Sequence, residues 1–251
     1  MRRLWMSLLL APVTAVAVAS AAWASPAAPA AQAGPAASAA HAAPAAPAAA
    51  ARALQPGSKG AAVKALQRRL ATLKYYPGKI DGRFGTDTLE AVWAFYEVQG
   101  LKPHNYVNAA MKRALAHPRA PRKLVRHPGA NRIEVNLTRE VLVLYRNNKV
   151  QLISHVSTGG HYYYCSRGGC GYAVTPTGNF KTTVYMPGWI QVPLGEMYNP
   201  VFFIGTAFAI HGETDVPLAP VSHGCVRIPM HIATFFHKLV KVPGEPVYIR
   251  Y

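Results

Sequence analysis

Two short stretches of this sequence gather the residues best suited to covalent chemistry. One is Ile210-His211-Gly212, the other Ser222-His223-Gly224-Cys225-Val226-Arg227. A thiol attacks as its thiolate, so Cys225 needs a base or a cation nearby near neutral pH. Histidine, with a reference pKa of about 6.5, can take that proton. Gly224 lets the backbone approach a substrate carbonyl closely, and amides in such a loop can stabilise an oxyanion. Arg227 can add positive potential or hold a carboxylate. The same residues admit a second chemistry, since His211, His223 and Cys225 are three possible zinc ligands. No Cys-x-x-Cys spacing supports that reading, so no metal and no other cofactor is expected.

These motifs need a framework, and residues 131–251 read as mostly β. Ile133, Val135 and Leu137 alternate with Glu134 and Asn136, the two-residue period of a strand. Val141 to Tyr145 is an apolar run, Asn147-Asn148 a hairpin turn, and Val150 to Val156 a return strand. Further strands are expected at Phe180–Tyr185, Val201–Ile204, Ala207–Ile210 and Val247–Arg250, with one helix near Met230–Val240. Two other cysteines, Cys165 and Cys170, are five apart with two glycines between them, which suits a local disulfide. The aromatic, glycine-rich segment 161–172 that contains them has two readings: a border of the substrate groove, or a surface loop made rigid.

Upstream the period is helical. Val63, Leu66, Leu70 and Leu73 share one face. A second helix starts near Thr86 or Asp87, with Asp87 and Glu90 at capping-box spacing, Leu89, Val92, Trp93 and Tyr96 as its buried face, and Gly100 as its breaker. A third, about Ala109 to Leu115, buries Met111 and Leu115. Tyr75, Tyr76 and Tyr106 are candidates for an exposed aromatic surface or for plain packing.

The chain has 251 residues, a formal charge of +17 and 51% hydrophobic residues. The last figure overstates the core, because 18 of the 29 residues from Ser25 to Ala53 are Ala and 5 are Pro. That segment reads as a tether. Before it, Met1-Arg2-Arg3, an apolar run and Ala22-Trp23-Ala24 have the layout of a secretory signal peptide; an uncleaved anchor is the alternative. One apolar run excludes a polytopic membrane protein. The basic residues are spread over the chain with no nucleic-acid motif, so no nucleic acid and no integral membrane partner is expected.

Gly-Ser-Lys-Gly, Val-x-x-Leu-Gln-x-x-Leu, Asp-Gly-x-Phe-Gly-x-x-Thr and Phe-Tyr-x-x-x-Gly-Leu, across Leu54–Leu115, resemble the bacterial peptidoglycan-binding domain. His211-Gly212, a ten-residue spacer and Ser222-His223-Gly224-Cys225-Val226-Arg227 resemble the catalytic domain of L,D-transpeptidases. The Ile-Glu-Val-Asn-Leu strand, Ser157-Thr158-Gly159-Gly160 and Thr-Pro-Thr-Gly segments also look like that family. The resemblance implies an α+β, two-domain protein. The expected order is signal peptide 1–24, linker 25–53, three-helix peptidoglycan-binding bundle 54–116, linker 117–130 and mostly-β catalytic domain 131–251.

It further implies a secreted, wall-associated enzyme acting on peptidoglycan stem peptides and glycan. Cys225 is the nucleophile and His211 its base, oriented by the Gly212 carbonyl. Amides around His223, Gly224 and Cys225 form the oxyanion site, and the His223 side chain lines the pocket. Ser222 and Arg227 support loop and substrate, and carbapenems acylate Cys225. An L,D-carboxypeptidase using water, and a non-catalytic wall-binding protein, are the alternatives.

Overall fold

The computed structural model describes residues 53–166 and 169–251; the expected signal peptide and most of the tether lie outside the described residues. Three helices come first: α1 (Ala61–Thr72), α2 (Thr86–Gln99) and α3 (Ala109–Ala116). The buried amide of Gln67 pins the turn between α1 and α2. It accepts from the Gly82 N–H at 2.9 Å and donates to the Arg83 carbonyl at 3.0 Å. α2 ends at Gly100, whose φ of +69° is the left-handed conformation glycine adopts without penalty.

It starts at Thr86 as expected, but its cap differs from the expectation. Gly85 is the N-cap and no side chain caps α2, because Asp87 and Glu90 already lie inside the helix and turn to His231. The buried face is also wider than one stripe. Ala91, Ala94, Phe95, Glu90 and Glu97 are buried, while Leu89 and Trp93 are only partly so. Leu115 of α3 is likewise only partly buried.

The remaining elements are strands with one helix. β1 (Arg132–Asn136), β2 (Val141–Arg146) and β3 (Lys149–His155) form a meander. β4 (Tyr163–Ser166) and β5 (Gly169–Tyr172) form a separate hairpin. β6 (Gly178–Lys181), β7 (Trp189–Val192), β8 (Gly195–Ile204), β9 (Phe208–Glu213) and β10 (Val226–Pro229) follow, then α4 (Met230–Leu239) and β11 (Pro246–Arg250). They make a five-stranded sheet ordered β3-β2-β1-β11-β6 and a four-stranded sheet ordered β10-β9-β8-β7. Ile133, Leu142, Leu144 and Val247 of the first sheet share one core with Ile210, Val226 and Ile228 of the second and Phe236 of α4.

β2 is buried on both sides. Leu142 and Leu144 enter the core between the sheets, whereas Val141, Val143 and Tyr145 enter the helical core beside α2. A strand covered on both faces reads as a continuous apolar run. Each such side chain contributes roughly 1.5–3 kcal/mol. Glu134 departs from simple alternation too. It is buried with Arg132, paired at 2.6 Å, and the Arg132 guanidinium stacks on Tyr145.

The helical module therefore sits on the β module through a dense seam. Glu97 of α2 contacts His155 Nδ1 at 2.8 Å, and the His155 Nε2 side faces the carbonyls of Val216 and Pro217. The Ile153 N–H of edge strand β3 donates to the Lys74 carbonyl at 2.8 Å. Tyr76 packs on Phe235 of α4, and Tyr75 lies in the helical core against Phe95, so of the three candidate surface tyrosines only Tyr106 is exposed. The expected linker is held down: Gln99 bonds the Arg119 backbone in both directions, and the Leu124 N–H donates to Glu134.

Candidate active site

β9 and β10 pair in parallel, with Val226 opposite Ile210 and Arg227 opposite His211. Opposed residues, and residues two apart, share a face of a sheet. One face carries Ile210, Val226 and Ile228 into the core. The other carries His211 and Arg227, and Cys225 joins them because its sulfur lies 3.5 Å from the Ala209 amide. Register alone thus brings together residues that lie on two separate sequence motifs. All three line one cavity of about 490 Å³.

The loop before Cys225 is tightly held. Ser222 Oγ donates to the Cys225 carbonyl at 2.6 Å and accepts from the Gly224 N–H at 3.0 Å. Thr175 donates to the Gly224 carbonyl at 2.8 Å and accepts from the Gly159 N–H at 2.8 Å. Ser157 and Arg227 exchange backbone hydrogen bonds, which join the two sheets beside the loop. Glu140 secures this strap from behind, accepting from the N–H and the hydroxyl of Thr158, both at 2.7 Å. Burial pushes the Glu140 carboxyl up to about 7, with the Thr158 bonds opposing.

Gly224 has φ +137°, and a side-chain carbon there would come within 2.6 Å of the Phe208 ring and 2.8 Å of the Val174 carbonyl oxygen. Gly212 packs so close to α4 that an added carbon would lie 2.6 Å from Ala233 Cβ. Both glycines are fixed by close approach rather than by loop flexibility.

His211 is buried and its Nδ1 lies 3.0 Å from the Gly212 carbonyl. That contact assigns the proton to Nδ1 and leaves the Nε2 lone pair free. Burial lowers the His211 pKa, with the Gly212 bond partly opposing. Burial raises the Cys225 thiol, opposed by the Ala209 amide and Arg227. Both shifts favour the neutral imidazole and the neutral thiol over an imidazolium–thiolate pair.

The Gly224 amide is spent on Ser222, so the oxyanion reading narrows to the amides of His223 and Cys225. The Ser222 hydroxyl is likewise engaged within the loop. The His223 ring lines the cavity and meets Tyr164 edge-on at 4.6 Å and Tyr162 at 5.5 Å. Burial lowers its pKa.

Tyr164 belongs to the β4–β5 hairpin, where Cys165 and Cys170 are directly opposed and disulfide-bonded. The hairpin borders the cavity, which favours the groove reading of segment 161–172. Sequence reasoning missed Tyr164 as a neighbour of His223, and Glu140 as the anchor of the strap. Tyr164 sat in a visible aromatic cluster, whereas Glu140 lies far from either motif and had no local signal.

Residues 130–249 match the family model described as the L,D-transpeptidase catalytic domain. Residues 59–115 match the peptidoglycan binding domain model. A crystal structure of residues 123–326 of an L,D-transpeptidase from Xylanimonas cellulosilytica is similar, with 31% identity and a TM-score of 0.74 over 79% of this chain and 98% of that one. An L,D-transpeptidase structure from Stackebrandtia nassauensis shares 21% identity over 78% of this chain and 94% of that one, at a TM-score of 0.46. No curated protein matches the chain.

Proposed function

This chain belongs to the L,D-transpeptidase family, and from that premise we propose that it cross-links peptidoglycan through a Cys225 thioester. The observation that carries the reading is the parallel β9–β10 register, which sets Arg227 opposite His211 with Cys225 immediately before β10, so that all three line one cavity.

His211 Nε2 takes the thiol proton as the Cys225 sulfur attacks the carbonyl of the third residue of a tetrapeptide stem. The tetrahedral oxyanion is held by the amides of His223 and Cys225. The C–N bond to D-Ala breaks, His211 returns its proton to the leaving amine, and a thioester remains. An amine of a neighbouring stem then attacks the thioester carbonyl and gives its proton to His211. The new amide forms, and the thiolate leaves and is reprotonated. Water in place of the amine gives carboxypeptidase turnover with the same groups. Arg227 holds the substrate carboxylate, and Ser222 fixes the loop.

The reading places the enzyme outside the cytoplasm, where the signal-like segment, the disulfide and a strongly basic charge, +17 for the whole chain and 17 − 2 = +15 without residues 1–24, suited to anionic wall polymer agree. The helical module supplies wall attachment. Incubation with tetrapeptide stems or with a carbapenem, followed by mass spectrometry, tests the proposal. Wild type should release D-Ala and form a covalent adduct, and Cys225→Ala should do neither. Absence of both from wild type would remove the enzyme reading. Cross-linked product against D-Ala release alone separates the transpeptidase from the carboxypeptidase.

A further inference from the structure

Away from the cavity, the seam holds a second cluster of ligating groups. Asp87 and Glu90 are three apart on α2, which puts both on one helix face. His231 comes from the first turn of α4. One ligand atom from each lies within 4.8 Å of the others. His231 Nδ1 is 3.3 Å from Asp87 Oδ1 and 3.8 Å from Glu90 Oε2.

Three features separate this cluster from an ordinary surface ion pair. The His231 Nε2 side lies 2.8 Å from the Tyr76 carbonyl, which assigns the ring proton to Nε2. Nδ1 therefore faces the two carboxylates, and within the buried cluster only their ion-pair contacts meet it, so a cation would take the place of a proton there. A backbone carbonyl on the far nitrogen is how proteins orient metal-ligating imidazoles. Glu90 is 5% exposed and makes no hydrogen bond among the described residues, so its carboxylate meets only the His231 ring, at 3.8 Å. Gly78, with φ +71°, leaves the space that Asp87 fills; an added carbon there would lie 2.2 Å from Asp87 Oδ2. Asp81 and Asp215 add negative potential, in a chain that is otherwise strongly basic.

We propose that Asp87, Glu90 and His231 bind one divalent cation of the zinc type, which ties the helical module to α4 of the catalytic module. One imidazole and two carboxylates suit zinc better than magnesium or calcium, which favour all-oxygen sites. Ligand bonds of about 2.0–2.1 Å in a tetrahedron imply edges of roughly 3.3 Å, and the His231–Asp87 separation already has that length. Glu90 needs only a small side-chain shift to complete the third edge, and solvent at half-exposed Asp87 supplies the fourth ligand. The site lies behind the cavity rather than in it. α4 also carries Ala233, which packs on Gly212 beside His211, so the cation holds the element that backs the catalytic strand.

The test strips the protein with a chelator, removes the chelator and titrates zinc chloride by calorimetry, with magnesium chloride in parallel. One zinc per chain is expected, no magnesium at comparable concentration, and a higher thermal midpoint with zinc. Asp87→Asn and Gly78→Ala should each weaken zinc binding at least tenfold, and His231→Gln should abolish it. Cys225→Ser, which removes the one free thiol, should leave it unchanged. Absence of stoichiometric zinc, or zinc binding that survives Asp87→Asn and His231→Gln, would overturn the proposal. The Asp87→Asn variant keeps the test valid if His231→Gln fails to fold, because Asp87 is half-exposed.

Discussion

The seam and the cavity both bury histidines, and they treat them in opposite ways. In the seam, burial alone would lower the pKa of His155, but the charge and hydrogen bond of Glu97 overcome it and the net direction is upward. In the cavity the Gly212 carbonyl and the charge of Glu213 pull His211 upward, but burial prevails. The Glu97 carboxylate shifts the seam histidine toward its charged form, whereas burial shifts the cavity histidine toward its neutral form, in which a ring nitrogen can accept a proton. Similar burial gives opposite outcomes because the partner differs, a carboxylate in one place and a backbone carbonyl in the other.

The sharpest way to separate the two regions is to damage each alone. Cys225→Ala should lower D-Ala release by about 10³-fold or more, and His211→Gln by roughly 10²–10⁴-fold, with the denaturation midpoint nearly unchanged. His155→Ala should do the reverse. It leaves Glu97 buried without its partner, at a cost of about 3–5 kcal/mol in chemical denaturation, while the folded fraction keeps its turnover. Replacing both residues, as in His155→Leu with Glu97→Leu, should recover most of that loss.

A pH series sharpens the contrast. Turnover needs neutral His211, whose pKa is lowered, so the acid limb of kcat/KM should lie below the ordinary histidine value of about 6.5. Glu140 behaves differently. Its folded pKa of about 7 lies above its unfolded value, so the folded chain binds this proton more tightly. Its contribution is full below about pH 4.5 and lost as pH rises through about 7. The stability of wild type relative to Glu140→Gln should therefore fall by on the order of 2–3 kcal/mol across that window. A flat difference would show that Glu140 does not titrate there.

The smallest effect is expected at the hairpin. Cys165→Ser with Cys170→Ser opens a short loop, worth about 2 kcal/mol at most by chain entropy. Turnover should fall a fewfold as Tyr164 loosens against His223. Loss of stability without loss of turnover would return the hairpin to a purely structural role.

The catalytic motif was legible because its chemistry is local: the nucleophile loop is one contiguous run, and the disulfide partners are five residues apart. The β2–β3 hairpin, several other strands and the helix at residue 230 followed from period and turn residues, whereas the strand order within each sheet and the strand pairing around the disulfide did not. What the sequence hid was everything set by contacts between modules. Asp87 and Glu90 have the spacing of a cap, and only the position of α4 shows that they face His231. Tyr75 and Tyr76 are adjacent and alike in type, yet one fills the helical core and the other reaches Phe235. Glu134 fits an alternating polar position, but it is buried against Arg132 and accepts from the Leu124 N–H of the linker. None of these signals exists within a window of a dozen residues.

The two-sided burial of β2 has a practical consequence for anyone handling the enzyme in pieces. A fragment beginning near residue 130 would keep every residue of the proposed site. It would also uncover Val141, Val143, Tyr145 and Ile153, and would release the β3 edge from the Lys74 carbonyl. A greasy sheet face beside an open strand edge is a template for self-association. The isolated catalytic half should precipitate or form oligomers, and its poor behaviour would say nothing against its chemistry.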